Sequence, residues 1–277
     1  MVESVSPLVA RRTGLIAGLI FISALTLAGW RLLRASLRPD AIYTGLLLLF
    51  LVLALALFNA RKKLPFLPLI KAATWLQIHI YAGWLCLLVF LIHIRFQMPT
   101  GAMELTLALI FCVVVLSGIF GLCITRNLPP RMASSGEALL YERVPVYRLR
   151  IQRSVEDLVR KAESETESST LGDFYMLRLR DFFTRVPPTI YALAGSDRGL
   201  HPLLAEMNAL DRYLNEQEKA IANEIRDWIE TKQNLDFQYA AQHLLKLWLF
   251  VHIPFTYSLI LLGVAHGIVA TLYAGRF

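Results

Sequence analysis

Five apolar stretches without a charged residue punctuate the chain, at residues 13–30, 41–60, 72–94, 105–125 and 247–275. Each has about the 17–25 residues that an α-helix needs to cross a hydrocarbon core, and the last is long enough to tilt or protrude. The pattern predicts an all-α membrane protein with five transmembrane helices. Arg11 and Arg12 precede the first stretch as in a signal peptide. No small-residue cleavage site follows, so the segment reads as a retained helix. Trp30 ends it as an interfacial anchor, and Asp40 after Pro39 suits the N-cap of the second helix. Residues 61–71, with Pro65 and Pro68, read as an extended turn, and 97–101 as a tight turn that makes helices 3 and 4 antiparallel neighbours. Trp75 and Trp248 fall near the ends of helices 3 and 5, as an aromatic belt would.

Between the fourth and fifth stretches the pattern changes to polar with helical periodicity. Val155, Leu158 and Val159 give one short apolar face, residues 163–170 an acidic solvated turn, and 171–185 a second helix stopped by Pro187 and Pro188. Leu203, Met207, Leu210, Leu214, Ile221, Ile225 and Trp228 then follow helical spacing for many turns, as a packing face does. Gly136, Gly172, Gly195 and Gly199 read as isolated turn glycines, with no nucleotide fingerprint around them. The expected organisation is transmembrane helices 1–4 in residues 1–126, a helical extramembrane insertion in 127–242, and helix 5 in 243–277.

Composition fits this division. The chain of 277 residues is 56% hydrophobic, with mean hydropathy +0.52. Residues 126–242 carry 16 basic and 18 acidic side chains, a net −2, so the formal +7 resides in the membrane segments and their short loops. Such a distribution speaks for membrane topology and against nucleic-acid binding. The positive-inside rule, applied to the basic clusters at 11–12, 61–71 and 126–131, favours a cytoplasmic N-terminus and polar block, with residues 95–103 and the C-terminus outside. Arg31, Arg34 and Arg38 in the first loop pull the other way. A bacterial cytoplasmic membrane is the expected location.

The chemistry lies in the histidines. His79 and His93 sit in the third apolar stretch, His252 and His266 in the fifth, and thirteen residues separate the members of each pair. Fourteen helical steps are about four turns and about 21 Å, so each helix presents two imidazoles on one side, one in each leaflet. A single intramembrane histidine is ordinarily a polar group bonded to a neighbouring helix. Four of them, confined to two segments and sharing one spacing, are harder to assign to packing, because ionisable residues are rare in such segments and usually functional. Helices 3 and 5 are separated by one helix and therefore run parallel. By depth, His79 pairs with His252 on the inner side and His93 with His266 on the outer side. Neutral imidazole is a good axial ligand for haem iron, whereas zinc wants four ligands converging at one point. The spacing thus suggests two stacked haem sites, each held by two histidines.

Other residues support this more weakly. Gly83, four residues after His79, Gly263, three before His266, and Gly118 and Gly121 on helix 4 allow close backbone approach to a flat cofactor, or ordinary helix packing. Pro254 is expected to bend helix 5 just beyond His252. Arg95 is a candidate for outer haem propionates, and Arg61, Lys62, Lys63, Lys71 and Lys246 for inner ones; snorkelling and positive-inside bias are the more ordinary account of them. His201 and His243 read as surface or interfacial groups, the latter also a candidate for proton transfer. Cys86, Cys112 and Cys123 lie in apolar segments, where the default expectation is a buried small hydrophobe. No C-x-x-C-H occurs, so covalent haem attachment is excluded, and no cysteine cluster could hold an iron–sulfur centre.

The stretches His79-Ile-Tyr-Ala-Gly-Trp…Leu-Ile-His93 and His252-Ile-Pro-Phe…Gly-Val-Ala-His266 resemble the haem-binding helices of the dihaem cytochrome b family of quinol:cytochrome c oxidoreductases. The resemblance covers under half of the chain. It implies two non-covalent haems b between parallel helices 3 and 5, within a four-helix bundle completed by helix 4 and by helix 1 or 2. Iron ligands would be His79 with His252 and His93 with His266. The chain departs from the family in the long insertion before its last helix and in lacking Pro-Glu-Trp-Tyr, the family's quinol-site motif. What the resemblance implies is a transmembrane electron carrier, the membrane subunit of an oxidoreductase complex. Expected partners are the lipid bilayer, a quinone pool on one side, and a redox subunit such as a cytochrome c or iron–sulfur protein on the other, with the polar block as docking surface. The competing readings are a haem-free scaffold or a transporter that moves protons or metal ions past intramembrane histidines, and an assembly adaptor built around residues 126–242.

Overall fold

The computed structural model describes residues 7–36, 40–60, 72–134, 140–166, 169–193 and 197–274. It is 92% helical, and no strand occurs among the described residues. Five helices are long and apolar enough to cross a membrane: α1 (Pro7–Ala35), α2 (Asp40–Ala60), α3 (Ala72–His93), α4 (Ala102–Ser134) and the C-terminal half of α10 (Glu216–Ala274). The chain is an integral membrane protein. The turn at 61–71, the basic candidates Arg61, Lys62, Lys63 and Lys71, and Gly136 and Gly195 lie outside the described residues.

The chain forms two compact units, Met1–Leu122 with Phe250–Phe277, and Cys123–Leu249. The divisions lie inside the continuous helices α4 and α10, at 122/123 and 249/250, where 126/127 and 242/243 are the sequence-based bounds. In α10 no glycine or proline separates Glu216 from Ile253, and good helix formers dominate that stretch. Pro254 lies inside the helix without ending it.

In the membrane unit, Val52 of α2, Cys86 and Phe90 of α3, Ala108 and Phe111 of α4 and Leu259 of α10 form one buried cluster. Phe90 and Phe111 stack with ring centres 4.0 Å apart. The four-helix core therefore takes α2 as its fourth member. The apolar window of α1 buries no residue, although the helix lies alongside α2 and α3. Outward apolar side chains such as Phe50, Leu116 and Leu261 have lipid as their solvent.

The polar unit is built as a water-soluble domain is. α5 (Val144–Thr166) turns Val144, Ile151, Val155, Val159 and Ala162 inward. α6 (Thr170–Phe174), one π turn (Tyr175–Leu179) and α7 (Arg180–Thr184) make the helical stretch expected at 171–185, and they add Leu171, Tyr175, Leu179 and Phe183 to the core. Gly172, expected in a turn, is instead buried in α6 against the Glu163 side chain. α8 (Thr189–Leu193) follows Pro187 and Pro188.

The stripe from Leu203 to Trp228 is not one helix. α9 (Asp197–Leu210) ends in a short 3-10 turn (Asp211–Tyr213), and α10 starts afresh after Asn215. There the Glu218 amide donates to Asn215 Oδ1 at 2.8 Å, and the Asn215 amide donates to Glu218 Oε2 at 2.9 Å. This reciprocal capping box satisfies two orphan amides at a helix start. The unit also buries a charge triad. Arg148 Nη2 and Lys232 Nζ donate to the two carboxylate oxygens of Asp236, at 2.5 and 2.6 Å, and Lys232 reaches the Arg185 carbonyl at 3.2 Å.

Candidate functional site

All four intramembrane histidines belong to the membrane unit. The structure brings His93 together with His266: their ring centres are 6.4 Å apart and their planes cross at 81°. His79 and His252 lie fourteen residues before His93 and His266 on the same two helices, α3 and α10, about 21 Å away along each. The imidazoles thus form two groups at opposite ends of the bundle, paired as parallel α3 and α10 require.

Two of the rings are held by the same device. Thr44 Oγ1 donates to the Asp40 carbonyl at 2.8 Å, as helix-borne hydroxyls do toward the residue four back, and lies 3.2 Å from His93 Nδ1. A hydroxyl has one proton. With that proton on the carbonyl, Thr44 accepts from His93 Nδ1–H. Ser117 Oγ likewise donates to the Val114 carbonyl at 3.0 Å and accepts from His252 Nδ1–H at 2.6 Å. In both cases the hydroxyl meets the ring at Nδ1, the position at which outer partners orient metal-binding histidines.

A glycine follows each hydroxyl. At Gly45 a Cβ would stand 2.9 Å from His93 Cε1, closer than side chains pack, and at Gly118 it would stand 3.7 Å from His252 Cε1. Thr44-Gly45 on α2 and Ser117-Gly118 on α4 are therefore matched clips, in which the hydroxyl orients a ring and the glycine leaves room for it. Gly118 was singled out by sequence for close approach; Thr44, Gly45 and Ser117 were not. The legible signal is the repeated hydroxyl–glycine dipeptide inside two apolar helices. A Cβ at Gly83 would meet open space. Gly263 and Gly267 face Leu49 of α2.

Arg95 is placed beside Asp40. Its Nη2 donates to Asp40 Oδ1 at 2.7 Å, while Trp30 Nε1 donates to Oδ2 at 3.3 Å. Asp40, expected as a cap, is thus the buried anchor of a polar cluster beside His93, and its carbonyl is the acceptor for Thr44. The chain reaches this geometry by an abrupt helix end. Arg95 and Phe96 take φ of 53° and 57°, and the Phe96 amide bonds back to the Leu91 carbonyl at 3.0 Å. This is the left-handed termination usually given to glycine, here stored in two side-chain-bearing residues. One further pair of polar atoms is notable near His79: Trp75 Nε1 and Gln77 Oε1 are buried on α3 with no hydrogen-bond partner among the described residues.

His243 belongs to the polar unit, exposed and 3.1 Å from the Tyr141 hydroxyl, which also donates to the Tyr239 hydroxyl at 3.1 Å. The two tyrosine rings stack with centres 4.6 Å apart, and Lys246 lies 4.0 Å over Tyr141 while pairing with Glu142. Lys246 is thereby engaged within its own unit. His201 is exposed on α9.

Comparison with protein-family models finds no match, and comparisons with curated proteins and with solved structures find no significant one.

Proposed function

We propose that the chain is the membrane subunit of an oxidoreductase complex and carries electrons across the bilayer through two haems b, the inner one held by His79 and His252 and the outer one by His93 and His266. The observation that carries this reading is the His93–His266 pair. Their ring centres are 6.4 Å apart. Two imidazoles at such a separation would be within reach of one metal ion held between them, at metal–nitrogen bonds of about 2.0–2.1 Å. The donor chemistry fits as well: Thr44 and Ser117 each meet an imidazole at Nδ1, the nitrogen that outer partners engage in metal-binding histidines. Each level offers two imidazoles, too few for a bare ion that wants four ligands but the number a porphyrin leaves open. The indole N–H of Trp75, one turn before His79 and buried with no partner among the described residues, suits a carboxylate of the inner group.

Bound there, haem supplies a one-electron iron couple. The chain's own residues supply ligation, fixed ring orientation and a dry, apolar surround. With no iron–sulfur, flavin or covalent-haem motif, it depends on partners at both ends. A quinone pool and a redox subunit of the cytochrome c or iron–sulfur class are the proposed ones. The proposed setting is a bacterial cytoplasmic membrane with the N-terminus inside.

The test is the visible spectrum of the purified full-length chain, with haem quantified per polypeptide. A reduced b-type spectrum with two haems per chain is expected, falling to one in His266→Ala. A colourless protein would sink the proposal in favour of a haem-free scaffold or transporter. Unchanged haem content in His266→Ala would remove the ligand assignment.

A further inference from the structure

The charge of the long polar segment is divided in two. Residues 126–153 carry six arginines and two glutamates, +4, whereas residues 154–242 carry ten basic and sixteen acidic side chains, −6. The basic stretch ends in the first turns of α5. There Val144, Ile151 and Val155 face the core, and at about 100° per residue Val146, Leu149, Arg150 and Arg153 all point within about 60° of the opposite direction. Val146 and Leu149 are 61% and 55% exposed, and Leu140, just before the helix, is 62% exposed. A soluble surface gains nothing from such a ridge. Among the described residues Arg143, Arg150 and Arg153 make no ion pair; Arg150 only rests over the Tyr147 ring at 5.4 Å. Further along the same face the pattern changes to self-paired charge, with Arg160 on Asp157 at 3.3 Å.

We propose that this stripe lies on the headgroup layer of the bilayer in which the chain is embedded. Leu140, Val146 and Leu149 enter the interface, and Arg143, Arg150 and Arg153 pair with anionic lipid phosphates. An apolar ridge flanked by unpaired arginines is the composition of a surface-seated amphipathic helix. The choice of lipid over an acidic protein rests on reach. The stripe begins eighteen residues after Leu122, the last residue of the membrane unit on that side, so every copy of the chain carries it tethered to a bilayer.

The test uses the full-length chain with Cys86, Cys112 and Cys123 replaced by serine or alanine. A single fluorophore is attached at Leu149→Cys or, as a second position in the stripe, Val146→Cys. The control is Glu216→Cys, whose parent side chain is 90% exposed. The protein is reconstituted in phosphatidylcholine vesicles with or without phosphatidylglycerol. With phosphatidylglycerol present, the stripe labels are expected to be quenched by lipid-borne spin labels and shielded from aqueous acrylamide, and the control label the reverse. Replacing Arg150 and Arg153 by glutamine should lower the docked-to-free ratio more than tenfold, at about fivefold per arginine. Stripe labels open to acrylamide in anionic vesicles would overturn the proposal. So would quenching that is indifferent to phosphatidylglycerol or to the arginine replacements, which would reduce the contact to apolar insertion. Shielding that appears only on adding an acidic redox protein would assign the stripe to that partner instead.

Discussion

The two units of this chain mark their interiors by opposite means. In the polar unit apolar side chains define the inside: Val144, Val155, Ala162, Met207, Ile225 and Ile229 are fully buried, and apolar periodicity points at them. In the membrane unit apolar side chains cover both the inside and the lipid-facing outside, so hydrophobicity carries no direction. There the polar groups define the inside. Asp40 and Thr44 are buried, and the histidines, Thr44 and Ser117 turn toward one another. Water rewards burying carbon, while lipid penalises leaving a hydrogen bond unmade. A rule that finds the core in one unit is blind in the other.

The largest effect should come from filling the space that the membrane unit reserves for a ring. In Gly45→Leu the added side chain starts within contact of His93, and α2 gives it no other place beside α3. His93 must leave its position, so on the proposed function the outer of the two haems should be lost and the inner retained. Gly45→Ala needs a shift of only tenths of an ångström and should keep both with an altered outer-haem spectrum. Loss of both haems in Gly45→Leu, or of neither, would break the separation into two independent levels.

The polar unit is more sensitive to charge than to any single ring. Asp236 neutralises two buried cations, and its exposure is 5%. Asp236→Asn leaves Arg148 and Lys232 facing each other without a counter-charge, and it should cost about 3–5 kcal/mol, as breaking buried pairs does. Lys232→Met should cost far less, because it leaves a matched Arg148–Asp236 pair and an apolar chain beside Phe182. The order of the two variants in chemical denaturation checks this. A costlier lysine replacement would show that the cation is a structural tie and not an excess charge.

These contrasts explain how much was legible beforehand. Lengths of apolar runs gave α2 and α3 to within one residue, since bilayer thickness imposes them, whereas α1, α4 and α10 run on beyond their apolar stretches. Parallel connectivity gave the pairing of His93 with His266. The break at Leu214 and Asn215 was missed because apolar periodicity runs on through it, although Asn215-Glu216-Gln217-Glu218 spells the capping box. The long α10 was missed because a change from polar to apolar composition reads as a boundary, whereas the backbone continues wherever helix formers do. Thr44 and Ser117 went unnoticed because one hydroxyl in an apolar helix is commonly satisfied by its own backbone. Their second bond, to a histidine distant in sequence, is a tertiary fact.

The clips give a middle-sized prediction. Ser117→Ala leaves His252 Nδ1–H without its acceptor, and outer-shell partners of this kind typically govern 10–100-fold in metal affinity. Haem loss from the inner site during dilution should accelerate in that range, with the outer site unmoved. Thr44→Val should do the reverse. Equal effects of both variants on both haems would indicate general loosening of the bundle in place of ring orientation.

The smallest effect belongs to the polar unit, whose core carries a titrating pair. Glu156 accepts from the Gln152 amide and from the Tyr175 hydroxyl, each at 3.0 Å. Its carboxyl is held below the ordinary value by Gln152 first, with Tyr175 and the charges of Arg160 and Arg180 adding. Burial, and then Glu156 itself, push the Tyr175 phenol up to about 12. A folded carboxyl with a lowered pKa stabilises above its unfolded value, and that contribution is lost as pH falls through the folded one. A phenol with a raised pKa stabilises fully below its unfolded value of about 10, and that contribution is lost as pH rises toward 12. Hydrogen exchange in residues 150–180, corrected for intrinsic rates, should therefore be flat from about pH 5 to 10 and accelerate on both sides. Tyr175→Phe should abolish the alkaline limb attributed to the phenol and weaken the acid one, because Glu156 loses a donor. An alkaline limb that survives unchanged in Tyr175→Phe would place the titration elsewhere in the unit.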